Sequence, residues 1–149
     1  MKIENVNILS DTILKSANAL CFTSNGIIKN NNELVMGAGV ALQFKNKWPS
    51  LALFAGQMVK VHGNICQIIC NYDGIAVIAF PTKYHWKQPS DLDLIKKSAY
   101  ELVKIVNEKD FKTICLTPPG CGLGNLNWET QIKPMIESIL DDRFTICFL

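Results

Sequence analysis

Thr113-Ile114-Cys115-Leu116-Thr117-Pro118-Pro119-Gly120-Cys121-Gly122-Leu123-Gly124-Asn125-Leu126-Asn127-Trp128 is the stretch on which the fold turns. It opens as a short apolar run of strand type, breaks at two prolines, passes three glycines at alternate positions and enters a segment with helical spacing. A strand that ends in a glycine-rich turn ahead of a helix exposes several backbone N–H groups with no side chains in the way. Such a turn suits an anion, most often a phosphate. A second glycine turn, Val35-Met36-Gly37-Ala38-Gly39-Val40-Ala41, also leads into a helical pattern. Two such loops can close on the two phosphates of a nucleotide diphosphate from opposite sides.

Working outward, short apolar runs alternate with helical patterns, without a linker or an internal repeat. Residues 6–9 read as a first strand, 11–16 as one short helical turn, and 19–23 as a buried strand. Residues 25–33, with asparagine at 30, 31 and 32, read as an exposed polar loop. Val40, Ala41, Phe44 and Trp48 fit one helix face, and Pro49 stops that helix. Leu51, Phe54, Met58 and Val61 fit the face of another, with Gly63 as its C-cap. Runs at 65–70 and 75–80 flank Asn71-Tyr72-Asp73-Gly74, a hairpin signal. Ser90-x-x-Asp93 reads as the capping pattern of the clearest helix, whose face is Ile95, Ala99, Leu102 and Val106. Residues 113–116 form the next strand. Ile132, Ile136, Ile139 and Leu140 mark a last helix distorted near Pro134, and 144–148 a terminal strand. This alternation predicts an α/β layer fold. The hairpin makes its sheet mixed rather than purely parallel. Ligands in such folds sit at the carboxyl ends of strands, where both glycine loops fall.

Composition narrows the chemistry. A chain of 149 residues, 48% apolar and 19% charged, fits one globular domain. A net charge of +2 with no basic block requires neither a nucleic-acid groove nor a membrane surface. Arg143 is the only arginine. That all but excludes phosphate recognition by arginine forks and leaves backbone amides as the candidates. The six cysteines mostly sit in apolar runs, no C-x-x-C pair occurs, and His62 and His85 are the only histidines, so no metal site is expected. The N-terminus lacks an apolar signal core, and no apolar run is long enough to span a bilayer. The expectation is a cytoplasmic protein with reduced thiols and no membrane partner.

Each candidate site carries a plain alternative. Neither glycine loop matches G-x-x-x-x-G-K-[ST], nor G-x-G-x-x-G with an acid downstream. The alternative to anion binding is a tight strand-to-helix turn that needs positive φ. Phe80-Pro81-Thr82-Lys83-Tyr84-His85-Trp86-Lys87-Gln88-Pro89 follows a strand and holds lysines, aromatics and a histidine without acids. Lys83 is either a solvated surface group or, beside apolar and aromatic residues, an amine nucleophile toward a carbonyl. Asp11 is a helix cap or a carboxylate accepting from an adenine amino group. Asn25, in Thr23-Ser24-Asn25-Gly26, offers its amide to a ribose hydroxyl or makes turn chemistry with Gly26.

Taken together, these pieces resemble a macrodomain, the ADP-ribose-binding fold. The resemblance is carried by Ser10-Asp11, Thr23-Ser24-Asn25-Gly26, Met36-Gly37-Ala38-Gly39-Val40-Ala41-Leu42-Gln43-Phe44-Lys45, Phe80-Pro81-Thr82-Lys83 and Gly120-Cys121-Gly122-Leu123-Gly124, in family order from about Asp11 to the end. The branch most similar holds the terminal ADP-ribose protein glycohydrolase and macrodomain antitoxins that remove ADP-ribose from thymidine in DNA. Residues 80–86 are particularly like the antitoxins.

The resemblance implies one macrodomain over residues 1–149, a three-layer α/β/α fold with a mixed, mostly parallel central sheet. It implies that Asp11, with Thr12, meets the adenine, which Phe148 or Leu149 also touches. Met36, Gly37, Ala38, Gly39, Val40 and Ala41, together with Pro118, Gly120, Cys121, Gly122, Leu123, Gly124, Asn125 and Leu126, wrap the diphosphate and distal ribose. Thr23, Asn25 and Thr82 belong to the same site, and Lys83 is the catalytic lysine.

The implied activity is an ADP-ribosyl hydrolase, a monomer without metal or cofactor. Its substrate is an ADP-ribosylated protein or nucleic acid, with acidic protein side chains favoured and thymidine in DNA possible. Two features depart from the terminal glycohydrolase. Gly124 stands where that enzyme has an aspartate assisting the lysine, a position where the antitoxins also tend to glycine, and residues 27–34 form a long polar insert that departs from both. Competing readings are a phosphatase acting on ADP-ribose 1″-phosphate, a non-catalytic reader of ADP-ribose, and a different nucleotide-binding α/β protein.

Overall fold

The computed structural model describes residues 1–149. Its strands are β1 (Lys2–Asn5), β2 (Ala19–Ser24), β3 (Gln67–Tyr72), β4 (Ile75–Pro81), β5 (Ile114–Leu116) and β6 (Phe144–Phe148). Its helices are α1 (Asp11–Ser16), α2 (Gly39–Lys47), α3 (Leu51–His62), α4 (Leu92–Lys109) and α5 (Lys133–Glu137). The six strands form one sheet in the order β1-β6-β5-β2-β4-β3. All neighbours are parallel except β3, which returns antiparallel along β4. The hairpin between them turns on Asp73 and Gly74, both at positive φ (51° and 83°). That is the two-residue turn whose twist matches the strands it joins.

Period-two alternation splits the central strands between two cores. Leu20 and Phe22 of β2, with Val77 and Ala79 of β4, face Ile13, Phe44, Leu51 and Ala55 from α1, α2 and α3. Ala19 and Cys21, with Ala76, Ile78 and Phe80, face Ile95, Leu102, Ile132 and Ile136 on the other side. A sheet covered on both faces has continuous apolar strands, which β2 and β4 show. The result is the mixed three-layer sandwich expected from the sequence. No helix is long and apolar enough to cross a membrane.

Several local expectations shift. The first strand is Lys2–Asn5, not 6–9. Leu9 N–H donates to Asn7 Oδ1 and Ser10 N–H to Asn7 O, both at 2.9 Å, so residues 6–9 turn instead. The buried face of α3 is Leu51, Ala52, Ala55, Gly56 and Val59, while Phe54 and Val61 point outward. Small residues define that face because the insert packs on it. Leu34 is buried, its N–H donates to Ala52 O (2.9 Å), and a Cβ on Gly56 would lie 1.9 Å from Asn32 O. Residues 25–33 are therefore not a free loop. Asp91, not Ser90, caps α4, its side chain accepting from Leu94 N–H (2.9 Å). The last helix is short and follows a wide π-type turn over Trp128–Ile132, capped by Asn127.

Candidate functional site

A cleft of about 1070 Å³ opens along the carboxyl ends of the parallel strands. At one end its wall is Val6, Asn7 and Ile8, just beyond β1, with Cys147, Phe148 and Leu149 of the last strand. Thr117 and Pro118 follow β5, and Thr23, Ser24 and Asn25 close β2. At the other end lie Thr82, Lys83 and the segment from Trp86 to Ser90 beyond β4. Residues 35–41 and 120–125 border the cleft, and they approach each other: a Cβ on Gly39 would lie 3.9 Å from the Leu123 side chain. Both glycine stretches singled out from the sequence thus reach one site.

Their backbones are open to an anion. Gly39 (φ 59°), Gly120 (φ 77°) and Asn125 (φ 64°) take left-handed conformations that turn the chain back on itself. Loop 120–125 closes through Leu126 N–H to Gly120 O (2.9 Å) and Asn125 N–H to Gly122 O (3.3 Å). The N–H groups of Gly122, Leu123 and Gly124 donate to no other group of the chain, and neither do those of Ala38, Gly39 and Val40 at the start of α2. Free donors at a helix start and in a glycine turn make an anion-binding surface. Arg143 takes no part; its guanidinium pairs with Asp141 at 2.7 Å and with Asn107 at 2.9 Å, outside the cleft lining.

Lys83 is fixed through its backbone. Its N–H, and that of Thr82, donate to Ser24 O (3.3 and 3.0 Å), and its carbonyl accepts from Asn64 Nδ2 (3.1 Å). The side chain reaches across the cleft, where Nζ donates to Leu123 O at 3.4 Å. This amine lies at the cleft mouth, not in a dry apolar pocket. Beside it, Lys87 is the other charged lining residue; the lining contains no aspartate, glutamate or histidine. Cys121 is a poor nucleophile at neutral pH, because burial pushes its thiol up to about 11; the thiol also donates to Pro119 O (3.4 Å).

Asn25 is buried and lines the cleft, yet part of its amide serves the chain. Nδ2 donates to Val35 O (3.0 Å) and Oδ1 accepts from Ile27 N–H (2.9 Å), tying the first glycine loop to the end of β2. The departure at Gly124 has a steric basis. A Cβ there would lie 2.1 Å from Ser90 Oγ and 2.5 Å from Gly120 O. Ser90 is buried, its N–H donates to Gly124 O (3.0 Å), and its hydroxyl has no hydrogen-bond partner.

Of the residues expected at the site, Asp11, Thr12 and Leu126 do not line the cleft. Asp11 and Thr12 are exposed in the first turn of α1, which Ser10 caps, and Ser10 in turn holds Asn7 of the cleft rim. Leu126 packs into the second core and closes the glycine loop from behind. All the others line it. The cleft also takes in Val6, Asn7 and Ile8, whose sequence pattern reads as strand; Ser24, Val35, Gln43, Thr117 and Cys147, which flank or neighbour expected positions; and Ser90, whose sequence context reads as a cap. Trp86, Lys87, Gln88 and Pro89 were visible only as part of a segment rich in lysine and aromatics.

The sequence matches the family described as Macro domain over residues 30–135. A DNA ADP-ribosyl glycohydrolase of Mycobacterium tuberculosis is 33% identical over 116 residues, covering 70% of this chain and 31% of the relative. One from Thermus aquaticus is 32% identical over 113 residues, covering 72% and 31%. The chain thus spans about a third of the length of these curated relatives. The solved macrodomain of M. tuberculosis DarG superposes with a TM-score of 0.78 at 27% identity, covering 98% of this chain and 96% of that one. That of T. aquaticus DarG gives 0.73 at 26%, covering 99% and 97%.

Proposed function

The chain belongs to the macrodomain family, and from that premise we propose that it is an ADP-ribosyl hydrolase that removes ADP-ribose from thymidine in DNA with Lys83 as nucleophile. The observation that carries the reading is the Lys83 amine reaching across an acid-free cleft to the glycine loop. The free amides of the two loops are suited to the diphosphate of ADP-ribose, with the distal ribose directed to the Lys83 end and the adenine to the Phe148 end. The names of the relatives favour DNA as the target.

In its neutral form the Lys83 amine attacks the anomeric carbon of the distal ribose. The bond to the modified group breaks, and its electron pair leaves with that group. Water then attacks the same carbon, frees ADP-ribose and returns the amine. No aspartate, glutamate or histidine lines the cleft to protonate the leaving group. The site therefore suits groups that depart as stabilised anions. A thymine imide nitrogen is one. A carboxylate, whose conjugate acid has a pKa of about 4.3, is another, so an acidic protein side chain is the second reading.

The test compares wild type and Lys83→Ala on a thymidine-ADP-ribosylated oligonucleotide and on a protein ADP-ribosylated at acidic side chains, with binding of free ADP-ribose measured in the same preparations. The expected result is release from the oligonucleotide by wild type, reduced to background in the variant with ADP-ribose binding kept. Release surviving in Lys83→Ala points to an activated water, as a phosphatase would use. Binding without turnover on either substrate makes the protein a reader.

A further inference from the structure

The Lys83 end of the cleft carries large side chains turned to solvent. Tyr84 is 57% exposed, Trp86 47% and Leu123 65%. They flank one point, because the Lys83 amine bonds to the Leu123 carbonyl while Tyr84 and Trp86 follow Lys83 in the chain. Trp86 and Leu123 also line the cleft. The Trp86 ring is held in place: Lys87 Nζ lies 5.1 Å from its centroid, and the His85 ring lies 5.4 Å away. His85 is itself held, its Nδ1 accepting from Lys87 N–H at 3.0 Å. A half-exposed indole at the Lys83 end of the cleft is a contact surface awaiting a partner.

We propose that Trp86 is a stacking platform for the target strand. A base of single-stranded DNA adjoining the modified thymidine lies on the indole, and Lys87 meets a phosphate of that strand. This rests on the DNA reading above and adds a second, ADP-ribose-independent contact to it. Three observations carry it. An aromatic face paired with a cation is the combination that holds single strands without reading their sequence. The cleft lining contains two lysines and no aspartate or glutamate, which complements a polyanion. The backbone amides of the glycine loops suffice for the diphosphate, leaving the Lys87 charge for a phosphate outside the nucleotide. A thymine modified at its pairing nitrogen cannot pair, which lowers the cost of opening the strand at that base.

The experiment uses the 149-residue chain as wild type, Trp86→Ala, Trp86→Phe and Lys87→Ala. Substrates are ADP-ribosylated thymidine as the lone nucleoside, the same modification inside a single-stranded oligonucleotide, and a protein ADP-ribosylated at acidic side chains. Trp86→Ala is expected to lower the oligonucleotide-to-nucleoside ratio of kcat/KM by roughly 5- to 150-fold, the range for losing one stacked base. Trp86→Phe restores most of it. Lys87→Ala flattens the salt dependence on the oligonucleotide by about 0.7 in log–log slope. An unchanged ratio in Trp86→Ala overturns the platform, as does equal loss on all three substrates, which would make Trp86 a wall of the cleft. Loss confined to the protein substrate assigns the surface to a protein target instead. Wild type inactive on both thymidine substrates sinks the DNA reading itself, and does so before any Trp86 variant is compared.

Discussion

Gly124 and Ser90 occupy one small volume behind the second glycine loop, and neither tolerates enlargement of the other. Because a Cβ at 124 meets both Ser90 Oγ and the Gly120 carbonyl, Gly124→Asp cannot simply install the missing carboxylate. It is expected to displace the loop, costing about 1–3 kcal/mol in stability, and to weaken ADP-ribose binding; denaturant titration and calorimetry check both. Ser90→Ala has the opposite sign in stability. Its hydroxyl is buried without a partner, and such a group costs about 1–3 kcal/mol, so removing it leaves stability unchanged or raises it. A fall in the denaturation midpoint of Ser90→Ala would mean that the hydroxyl has a partner after all. Cys121 belongs to the same loop. With its thiol pushed up to about 11, alkylation at that residue is expected to be slow near pH 7 and to rise about tenfold per pH unit. Peptide mass spectrometry reads it directly.

At the scale of elements, legibility followed the kind of residue doing the packing. α4 was plain, because Ile95, Ala99, Leu102 and Val106 repeat at helical spacing and all four are fully buried. α3 misleads in part, because Phe54 and Val61 face outward while Ala52, Ala55 and Gly56, which carry little hydrophobic signal, share the buried face with Leu51 and Val59. The same feature predicts a weak point. Gly56→Ala puts a methyl group 1.9 Å from the Asn32 carbonyl. It is expected to lift the 27–34 insert off α3 and cost about 1–3 kcal/mol. Thermal unfolding measures the loss, and faster amide exchange at Leu34, whose N–H is bonded to Ala52 O, locates it. The hairpin was legible down to its turn, since Asp-Gly between two apolar runs has few other conformations open to it.

For the whole molecule, charge contributes little and in a defined direction. Arg143, by hydrogen bonds to its carboxylate, holds Asp141 below the usual range, and Lys112 does the same for Asp110. A carboxyl group lowered on folding adds stability above its unfolded pKa of about 3.9, and that stability is lost as pH falls through the folded value. Both groups are exposed, so the effect is small. Below about pH 4, wild type is expected to lose stability slightly more steeply than Asp141→Asn, read from denaturation midpoints at stepped pH. Identical profiles would show the Asp141–Arg143 pair to be energetically silent.

What the sequence by itself determined is whatever depends on neighbours along the chain. That covers the α/β alternation, the hairpin that makes the sheet mixed, the two glycine turns and the motif order that marks a macrodomain. The lone arginine, which leaves backbone amides as the candidates for phosphate recognition, is equally local information. Only the tertiary structure decided which distant segments meet. It brought loop 35–41 against loop 120–125, laid the Lys83 amine on the Leu123 carbonyl, made residues 6–8 a wall of the cleft and filled the space beside Gly124 with Ser90. It also left the cleft lining without an acid. These follow from the strand order β1-β6-β5-β2-β4-β3. Periodicity and turn chemistry act over a few residues, whereas strand order is selected by the burial of both sheet faces at once.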